Sequence, residues 1–193
     1  MIKFLETERL ILSPLSVKDI GGDYLSWINS QTSDIHTQHA VFPHNDVSLL
    51  ENFKSRAISS NSSIWLGVFN RETEEHIGNI DISGINWINR TGVYNIIIGQ
   101  PAYQNKGFGF EASVALLYHV FNRLNLNRVQ LGVELSNTGA ISLYEKLGFV
   151  AEGILKENVY KNAVFSDTLI MALLNKRFNE KFILGEDFRI ISK

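Results

Sequence analysis

The sequence VYNIIIGQPAYQNKGFGFEASVALLYHVFNRL, residues 93–124, decides the fold. Its first seven residues are rich in β-branched side chains, which predicts a strand that ends at Gly99. From Phe110 onward apolar residues recur at helical spacing, which predicts a long helix. The connection between the two contains a hexapeptide that reads Gln104, Asn105, Lys106, Gly107, Phe108 and Gly109. A strand, a tight glycine-bearing loop and a helix in this order predict an α/β unit.

The hexapeptide has the features of an anion-binding loop. Backbone N–H groups in the first turn of a helix have no partner within the helix, and the positive end of the helix dipole lies beside them. Gly107 and Gly109 let the backbone approach a ligand closely, and Lys106 adds a cation. Neither the dinucleotide fingerprint nor the P-loop pattern fits these residues. A pyrophosphate outside those two classes of site points to coenzyme A.

The remaining sequence predicts one domain of mixed α/β (α+β) class. Alternating or β-rich runs predict strands at residues 9–15, 64–69, 76–86, 92–99, 128–134, 149–160 and 165–174. Apolar residues at helical spacing predict further helices at residues 19–29, from Asn45 or Asp46 onward, and between Asn137 and Gly148. We expect a mostly antiparallel sheet of about seven strands flanked by about four helices. The domain covers residues 1–175, and residues 176–193 form a tail that docks on it or makes a dimer contact.

Composition excludes several classes of function. The net charge is −2, from 18 basic and 20 acidic side chains that are scattered, so nucleic acid is not an expected partner. The chain has no cysteine, which excludes disulfides and a thiolate nucleophile. Charged residues interrupt the first twelve positions, and no apolar run approaches roughly 20 residues. We therefore expect a cytoplasmic protein without a membrane partner, as a monomer or a homodimer.

Asn137 and Tyr144 are the next candidate site residues. They are seven positions apart in a predicted helix and so share one face. A phenol with an unperturbed pKa of ~10 is a suitable general acid for a leaving thiolate. The alternative is that Asn137 is only an N-cap and Tyr144 only a core aromatic, and helical spacing does not separate the two interpretations.

These segments resemble the GNAT superfamily of N-acetyltransferases. Gln104, Gly107 and Gly109 match its [QR]-x-x-G-x-[GA] motif, and a second group of matches comprises Asn137, Ala140, Tyr144, Gly148 and Phe149. More narrowly, the segment from Glu6 to Leu10 is similar to the branch that includes ribosomal-protein N-terminal acetyltransferases. Residues 23–29 resemble the first helix of enzymes that acetylate nucleotide-linked amino sugars.

The resemblance implies a sheet splayed open between predicted strands four and five, with acetyl-CoA as co-substrate and no metal. It implies that the backbone of Ile97 and Ile98 binds the pantetheine amides and that residues 104–109 hold the pyrophosphate. Asn137 would bind the pantetheine arm, and Tyr144 would protonate the thiolate. The acceptor would enter from the opposite face, along a wall formed by Tyr24, Trp27 and His36.

The general base is the part of the pattern that this sequence lacks. Many relatives carry a glutamate on the fourth strand, but residues 93–99 contain no acid. An ammonium group must lose a proton before it can attack the thioester. Asp81, Glu134 or a chain of water molecules are the candidates, and His36, His39 and His44 form a further set.

We therefore expect direct attack of an amine on acetyl-CoA. We favour a small amine, such as a nucleotide-linked amino sugar, over a protein N-terminus as the acceptor. A function of another class, an acyl-CoA-binding module without turnover, stays open because of the missing glutamate.

Overall fold

The computed structural model describes residues 2–20, 23–30, 44–45, 47–51, 54, 61–161, 163–184 and 190–191. Eight strands form the main sheet: β1 Leu5–Glu6, β2 Leu10–Pro14, β3 Ile64–Asn70, β4 His76–Asn86, β5 Thr91–Ile98, β6 Arg128–Glu134, β7 Val150–Lys161 and β8 Val164–Leu174. The helices with defined bounds are α1 Val17–Ile20, α2 Asp23–Asn29, α3 Phe108–Asn122, α4 Thr138–Leu147 and α5 Asn175–Lys181. Two short strands, β9 Ile183–Leu184 and β10 Ile190–Ile191, pair with each other.

The strand order in the main sheet is β1-β2-β3-β4-β5-β6-β8-β7. Every neighbouring pair is antiparallel except β5 and β6, which are parallel. A parallel pair needs a long crossover, and α3 supplies it. The predicted α/β class, the mostly antiparallel sheet and this crossover are confirmed.

The core lies between this sheet and α3. Along β6 the residues Val129, Leu131 and Val133 are buried and alternate with more exposed ones, as expected for a strand with one face on the core. On α3 the buried residues are Phe108, Ala112, Ser113, Val114, Ala115, Leu116, Leu117, Val120 and Phe121. A helix buried on most of its surface holds its N-terminus in a fixed place relative to the strands.

The structure adds two details to the predicted fold. The sheet has eight strands because Leu5–Glu6 forms the short strand β1, which pairs with Ile11 and Leu12 of β2. Helices α1 and α2 have separate bounds where a single helix was predicted over residues 19–29, and residues 21 and 22 between them lie outside the described residues. Residues 31–43, which include the candidate residues His36 and His39, lie outside the described residues.

The segment after β8 contacts the domain through α5. Phe178 is fully buried in the main core, and Phe182 is 7% exposed. Phe121 of α3 lies with its ring centroid 5.4 Å from that of Phe178. The boundary predicted at residue 175 stays a prediction. Among the helices that the structure describes, none is both long and apolar enough to traverse a membrane.

Candidate active site

The sheet opens between β5 and β6. Their pairing covers only Thr91 with Arg128, Gly92 with Val129 and Val93 with Gln130. Beyond that point β5 continues to Ile98 while still paired with β4. The β6-facing edge of residues 94–98 is therefore available for an extended ligand, which can hydrogen-bond to it as a further strand would.

The direction of each backbone group along this edge follows from the pairing with β4. Gly99 N–H donates to Ile77 O at 2.9 Å, so the backbone at Gly99 faces β4. Backbone direction alternates along a strand, so the polar groups of Ile97 also face β4 and those of Ile96 and Ile98 face the opening. Of the two predicted backbone contacts, only Ile98 is thus on the open side.

The hexapeptide forms the turn that leads into α3. Gly107 is the N-cap of α3 with φ at 83°, and no side chain in the described part of the chain caps this helix. Non-glycine residues disfavour that backbone conformation, so the glycine is needed for the turn. The first N–H groups of α3 are left for a ligand, which is the arrangement expected for a pyrophosphate.

The other hexapeptide residues divide into two groups. Four of them line a large cavity in the protein: Gln104, Asn105, Gly107 and Gly109. The Gln104 side chain donates from Nε2 to Ile98 O at 2.9 Å, so it ties the loop to the end of β5. Phe108 is 8% exposed and belongs to the core, and Lys106 is an exposed side chain outside the cavity lining.

The N-terminal segment braces this loop from behind. Arg9 donates from Nε to Glu111 Oε2 at 2.6 Å and from Nη1 to Lys106 O at 3.2 Å. Its guanidinium carbon also lies 4.2 Å from the centroid of the Phe108 ring. Thr7 Oγ1 donates to the other oxygen of Glu111 at 2.5 Å. Charge-assisted and bidentate contacts of this kind restrict geometry strongly, so they hold the N-terminus of α3 in place.

Asn137 and Tyr144 lie on the opposite side of the opening, on α4. Asn137 Oδ1 accepts from Ala140 N–H at 3.0 Å, which is an N-cap, and Asn137 also lines the cavity. Burial raises the pKa of the Tyr144 phenol to about 12, because a low-dielectric surrounding disfavours the phenolate. The Tyr144 ring meets Tyr94 of β5 edge-on, with centroids 6.0 Å apart. The helix that carries both residues ends at Gly148 with φ at 100°, as predicted for its C-terminus.

A polar patch lies on the central strands at the same cavity. Asp81 of β4 is 9% exposed, and its Oδ1 accepts from Asn95 Nδ2 of β5 at 3.0 Å. Asn79, two positions earlier on the same face, is 4% exposed. Glu134, at the end of β6, accepts from Ser136 Oγ at 3.0 Å. One cavity is lined by Asn79, Asp81, Asn95 and Glu134. The two candidate bases, Asp81 and Glu134, therefore lie on two of its walls.

This cavity has a volume of about 1440 Å³ and brings most of the predicted site together. Its wall includes members of each predicted group: Tyr24, Asp81, Ile97, Ile98, Gln104, Gly107, Gly109, Glu134, Asn137 and Tyr144. A coenzyme and a small acceptor fit within such a volume. Within the described ranges, no group of three or more histidine and acidic side chains is arranged to hold a metal ion.

Comparison with known proteins identifies the family. Residues 9–150 match the acetyltransferase (GNAT) domain family. The chain belongs to this family. It is an N-acetyltransferase, and its co-substrate is acetyl-CoA.

Curated relatives and solved structures agree with this assignment. Spermidine N(1)-acetyltransferase of Vibrio cholerae is 36% identical over 102 residues, which are 53% of this chain and 58% of that protein. The probable N-acetyltransferase YjcK of Bacillus subtilis is 26% identical over 89% of this chain and 97% of its own length. The crystal structure of the V. cholerae spermidine N-acetyltransferase in complex with CoA and spermine has a TM-score of 0.80 at 28% identity. The match covers 90% of this chain and 99% of the V. cholerae chain.

The predicted acceptor residues of this acetyltransferase have different surroundings. Tyr24 lines the cavity, whereas Trp27 is 6% exposed and packs behind it on Gly99. A Cβ at position 99 would lie 2.0 Å from Trp27 Cδ2, so the indole occupies the space that glycine leaves. His36 and His39 lie outside the described residues. The backbone of His44 is held by Asn29, which accepts from its N–H at 2.9 Å and donates to its carbonyl at 3.0 Å.

The sequence did not predict the contacts that Thr7 and Arg9 make with Glu111 and with the backbone of Lys106. Glu111 lies 104 residues after Thr7 and 102 residues after Arg9 in the chain. Their motif was visible as a similarity to one branch of the superfamily, but it gave no spatial partner. The polar residues Thr7 and Arg9, just before strand β2, are the signal that could have suggested a contact.

Proposed function

We propose that this acetyltransferase acetylates a primary amine of a small polycation of the polyamine class. The observation that carries the proposal is the position of Asp81, a nearly buried acid in the cavity wall. Negative charge in a site of low dielectric attracts an ammonium group far more strongly than the same charge in water.

Other residues of the wall suit the same acceptor. Glu134 supplies a second acid from β6, and the rings of Tyr24 and Trp65 line the cavity beside the polar patch. Aromatic faces attract ammonium groups through cation–π interactions. A molecule with several ammonium groups can therefore engage more than one wall, whereas a nucleotide-linked amino sugar offers one ammonium group and carries phosphates that the acids repel.

The similarity to known polyamine enzymes supports the same acceptor class. The V. cholerae protein whose structure was solved with CoA and spermine has the same fold along 90% of this chain. The amino-sugar hypothesis came from the resemblance of residues 23–29, and Trp27 is a ring in that segment on which a nucleobase could stack. Since Trp27 is 6% exposed and packs on Gly99, that ring is occupied by the protein itself.

The proposed reaction is a direct transfer with two proton movements. The amine nitrogen forms a bond to the thioester carbonyl carbon, the carbon–sulfur bond breaks, and the sulfur leaves with the electron pair. Before the attack, the Asp81 carboxylate takes one proton from the ammonium group and later releases it to solvent; the same carboxylate accepts a hydrogen bond from Asn95 of β5. The Tyr144 phenol, whose pKa of about 12 keeps it protonated at neutral pH, gives its proton to the departing sulfur and regains one from the nitrogen, which loses its second proton as the amide forms.

The cofactor contacts complete the proposal. The backbone of Ile96 and Ile98 would bind the pantetheine amides, and the loop from Gln104 to Gly109 would bind the pyrophosphate. Asn137 would donate from Nδ2 to the pantetheine arm, since its Oδ1 is used by the helix cap. One amide can serve both purposes because its two ends point to different partners.

A panel of acceptors tests the acceptor class. Release of free CoA thiol would be followed with spermidine, spermine, a nucleotide-linked amino sugar and a peptide with a free N-terminus. We expect turnover with the polyamines. Activity confined to the sugar or the peptide would overturn the proposal, and binding of CoA without turnover of any amine would instead support a non-catalytic module.

Asp81→Asn tests the role of the buried acid. We expect kcat/KM for the polyamine to fall by about 100-fold or more, with KM for acetyl-CoA unchanged. Glu180→Gln is the matched control, because Glu180 is an exposed acid on α5 that lies 3.8 Å from Lys176 and outside the cavity lining. If Asp81→Asn kept the rate of the unmodified protein, Glu134 or a water chain would have to be the base.

A further inference from the structure

The cavity has a second charged region, formed by two lysines at its cofactor end. Lys146 stands one residue before the end of α4, and Lys181 is the last residue of α5. Both line the cavity that also contains the pyrophosphate loop. Lysines in the last turn of a helix often serve only the helix dipole. The dipole can explain each lysine on its own helix, but it does not explain why both lysines lie on the wall of one cavity.

Gly148 brings the two helix ends together. A Cβ at Gly148 would lie 3.3 Å from Lys181 Cδ and 3.9 Å from Arg177 Nε, so both basic stems lie over this glycine. Lys146 is two positions before it. Among the residues that the structure describes, no carboxylate forms an ion pair with Lys146, Arg177 or Lys181. In a chain of net charge −2, these cations are clustered and not neutralised by neighbouring acids.

Two series of contacts connect the lysines to the pyrophosphate loop. On one side, a Cβ at Gly109 would lie 3.7 Å from Leu143 Cδ2, and Lys146 is one helical turn beyond Leu143. On the other side, Phe110 follows Gly109, and its ring centroid lies 6.1 Å from that of Phe182, the neighbour of Lys181. Each lysine is therefore within a few side-chain contacts of the helix start that would hold the pyrophosphate.

The loop's own cation, Lys106, lies outside the cavity lining, and coenzyme A has a third phosphate. Its pyrophosphate can be held by backbone N–H groups, but its ribose carries a 3′-phosphate one sugar ring away from the pyrophosphate. A phosphate monoester near pH 7 carries more than one negative charge and binds well to ammonium donors. We propose that Lys146 and Lys181 form the binding site for the 3′-phosphate of coenzyme A.

The proposal gives a role to the segment after the family domain. The family match ends at residue 150, whereas Lys181 and Phe182 lie well beyond it. Phe178, buried in the core, anchors α5 and so fixes the position of Lys181 at the end of the helix. The C-terminal segment thus completes the cofactor site. This inference depends on acetyl-CoA as co-substrate and not on the acceptor proposed above.

Calorimetric binding of CoA and of 3′-dephospho-CoA tests the site without any acceptor. We expect the unmodified protein to bind CoA about tenfold more tightly than dephospho-CoA, a preference that falls as salt is raised. Lys146→Ala together with Lys181→Ala should remove the preference while the affinity for dephospho-CoA stays unchanged. Lys181→Arg, which keeps the charge, should retain most of it.

Lys176→Ala is the matched control, since Lys176 lies on the same helix, is exposed and stands outside the cavity lining. It should bind both ligands as the unmodified protein does. The proposal is overturned if the unmodified protein does not discriminate between the two ligands, or if the double variant still discriminates. It is also overturned if Lys176→Ala loses the preference equally, because the effect would then be one of net charge. Thermal unfolding midpoints verify that each variant is folded.

Discussion

The two ends of the cavity are built in different ways. The proposed cofactor end is built mainly from backbone: a strand edge without a neighbour, a glycine at φ 83° and the start of α3. The proposed acceptor end is built from side chains, with Asp81, Asn79 and Asn95 projecting from two strands and Glu134 from a third. Backbone sites depend on conformation and tolerate many side chains, whereas side-chain sites change with each substitution. The contrast suggests why a family can keep its cofactor while its members change acceptors.

The strongest test of this contrast is Tyr144, where the two ends meet. Tyr144→Phe should lower kcat by about 100-fold or more, because the departing sulfur loses its hydrogen-bond donor. KM for acetyl-CoA should stay within a factor of about two, since the ring and its packing remain. Steady-state rates at varied acetyl-CoA measure both. An unchanged kcat in a folded variant would mean that the thiolate leaves unaided.

The pH profile provides a second measurement on the same residue. Burial raises the pKa of Tyr144 to about 12, so the phenol remains protonated at every pH below about 10. The rate should therefore rise with pH as the acceptor amine loses its proton, and ionisation of Tyr144 should cause no falling limb in this range. A falling limb between pH 7 and 9 that disappears in Tyr144→Phe would contradict the raised pKa.

A substitution at Gly107 tests whether the cofactor end depends on backbone conformation. Gly107→Val should raise KM for acetyl-CoA by about tenfold and lower the free energy of unfolding by about 1–2 kcal/mol, because a β-branched residue resists a positive φ. Gly153→Ala is the control, since a Cβ there meets nothing within 4 Å. It should change neither quantity measurably. If Gly107→Val bound acetyl-CoA normally, the loop would not be the pyrophosphate site.

Loss of the Arg9 contacts behind the loop should have a smaller effect on KM for acetyl-CoA. Arg9→Ala removes contacts to Glu111 and Lys106 without touching the cavity, so we expect KM for acetyl-CoA to rise a few-fold with kcat nearly constant. A double-mutant cycle with Glu111→Gln should give a coupling energy of about 1 kcal/mol in urea unfolding. Arg123→Ala, an exposed arginine at the other end of α3, serves as the comparison. Equal effects of Arg9 and Arg123 would show that general charge is responsible.

Asn137 gives the finest distinction, because its amide belongs to both a helix cap and the cavity. Asn137→Ala should cost about 1 kcal/mol of stability, and Asn137→Ser should restore most of it because serine also caps helices. Both variants should raise KM for acetyl-CoA slightly, since each lacks the amide donor. If Asn137→Ser matched the unmodified protein in KM, Asn137 would be a cap and nothing more.

The sequence by itself determined the elements that depend on local patterns. Strand β6 has the predicted bounds, and α4 begins after Asn137 and ends before Gly148, as its cap residues indicate. Periodicity, caps and glycines act over a few residues, so they can be read along the chain. The loop from Gln104 to Gly109 is local in the same sense, and its motif together with the matches from Asn137 to Phe149 predicted the family.

Tertiary structure decided everything that joins distant residues. It turned Ile98 toward the opening and Ile97 away from it, buried Trp27 on Gly99, and brought Arg9 to Glu111. It also brought Lys181 of α5 and the loop from Gln104 to Gly109 to the wall of one cavity. Such positions depend on strand register and on packing between elements far apart in the chain, and no local pattern encodes them.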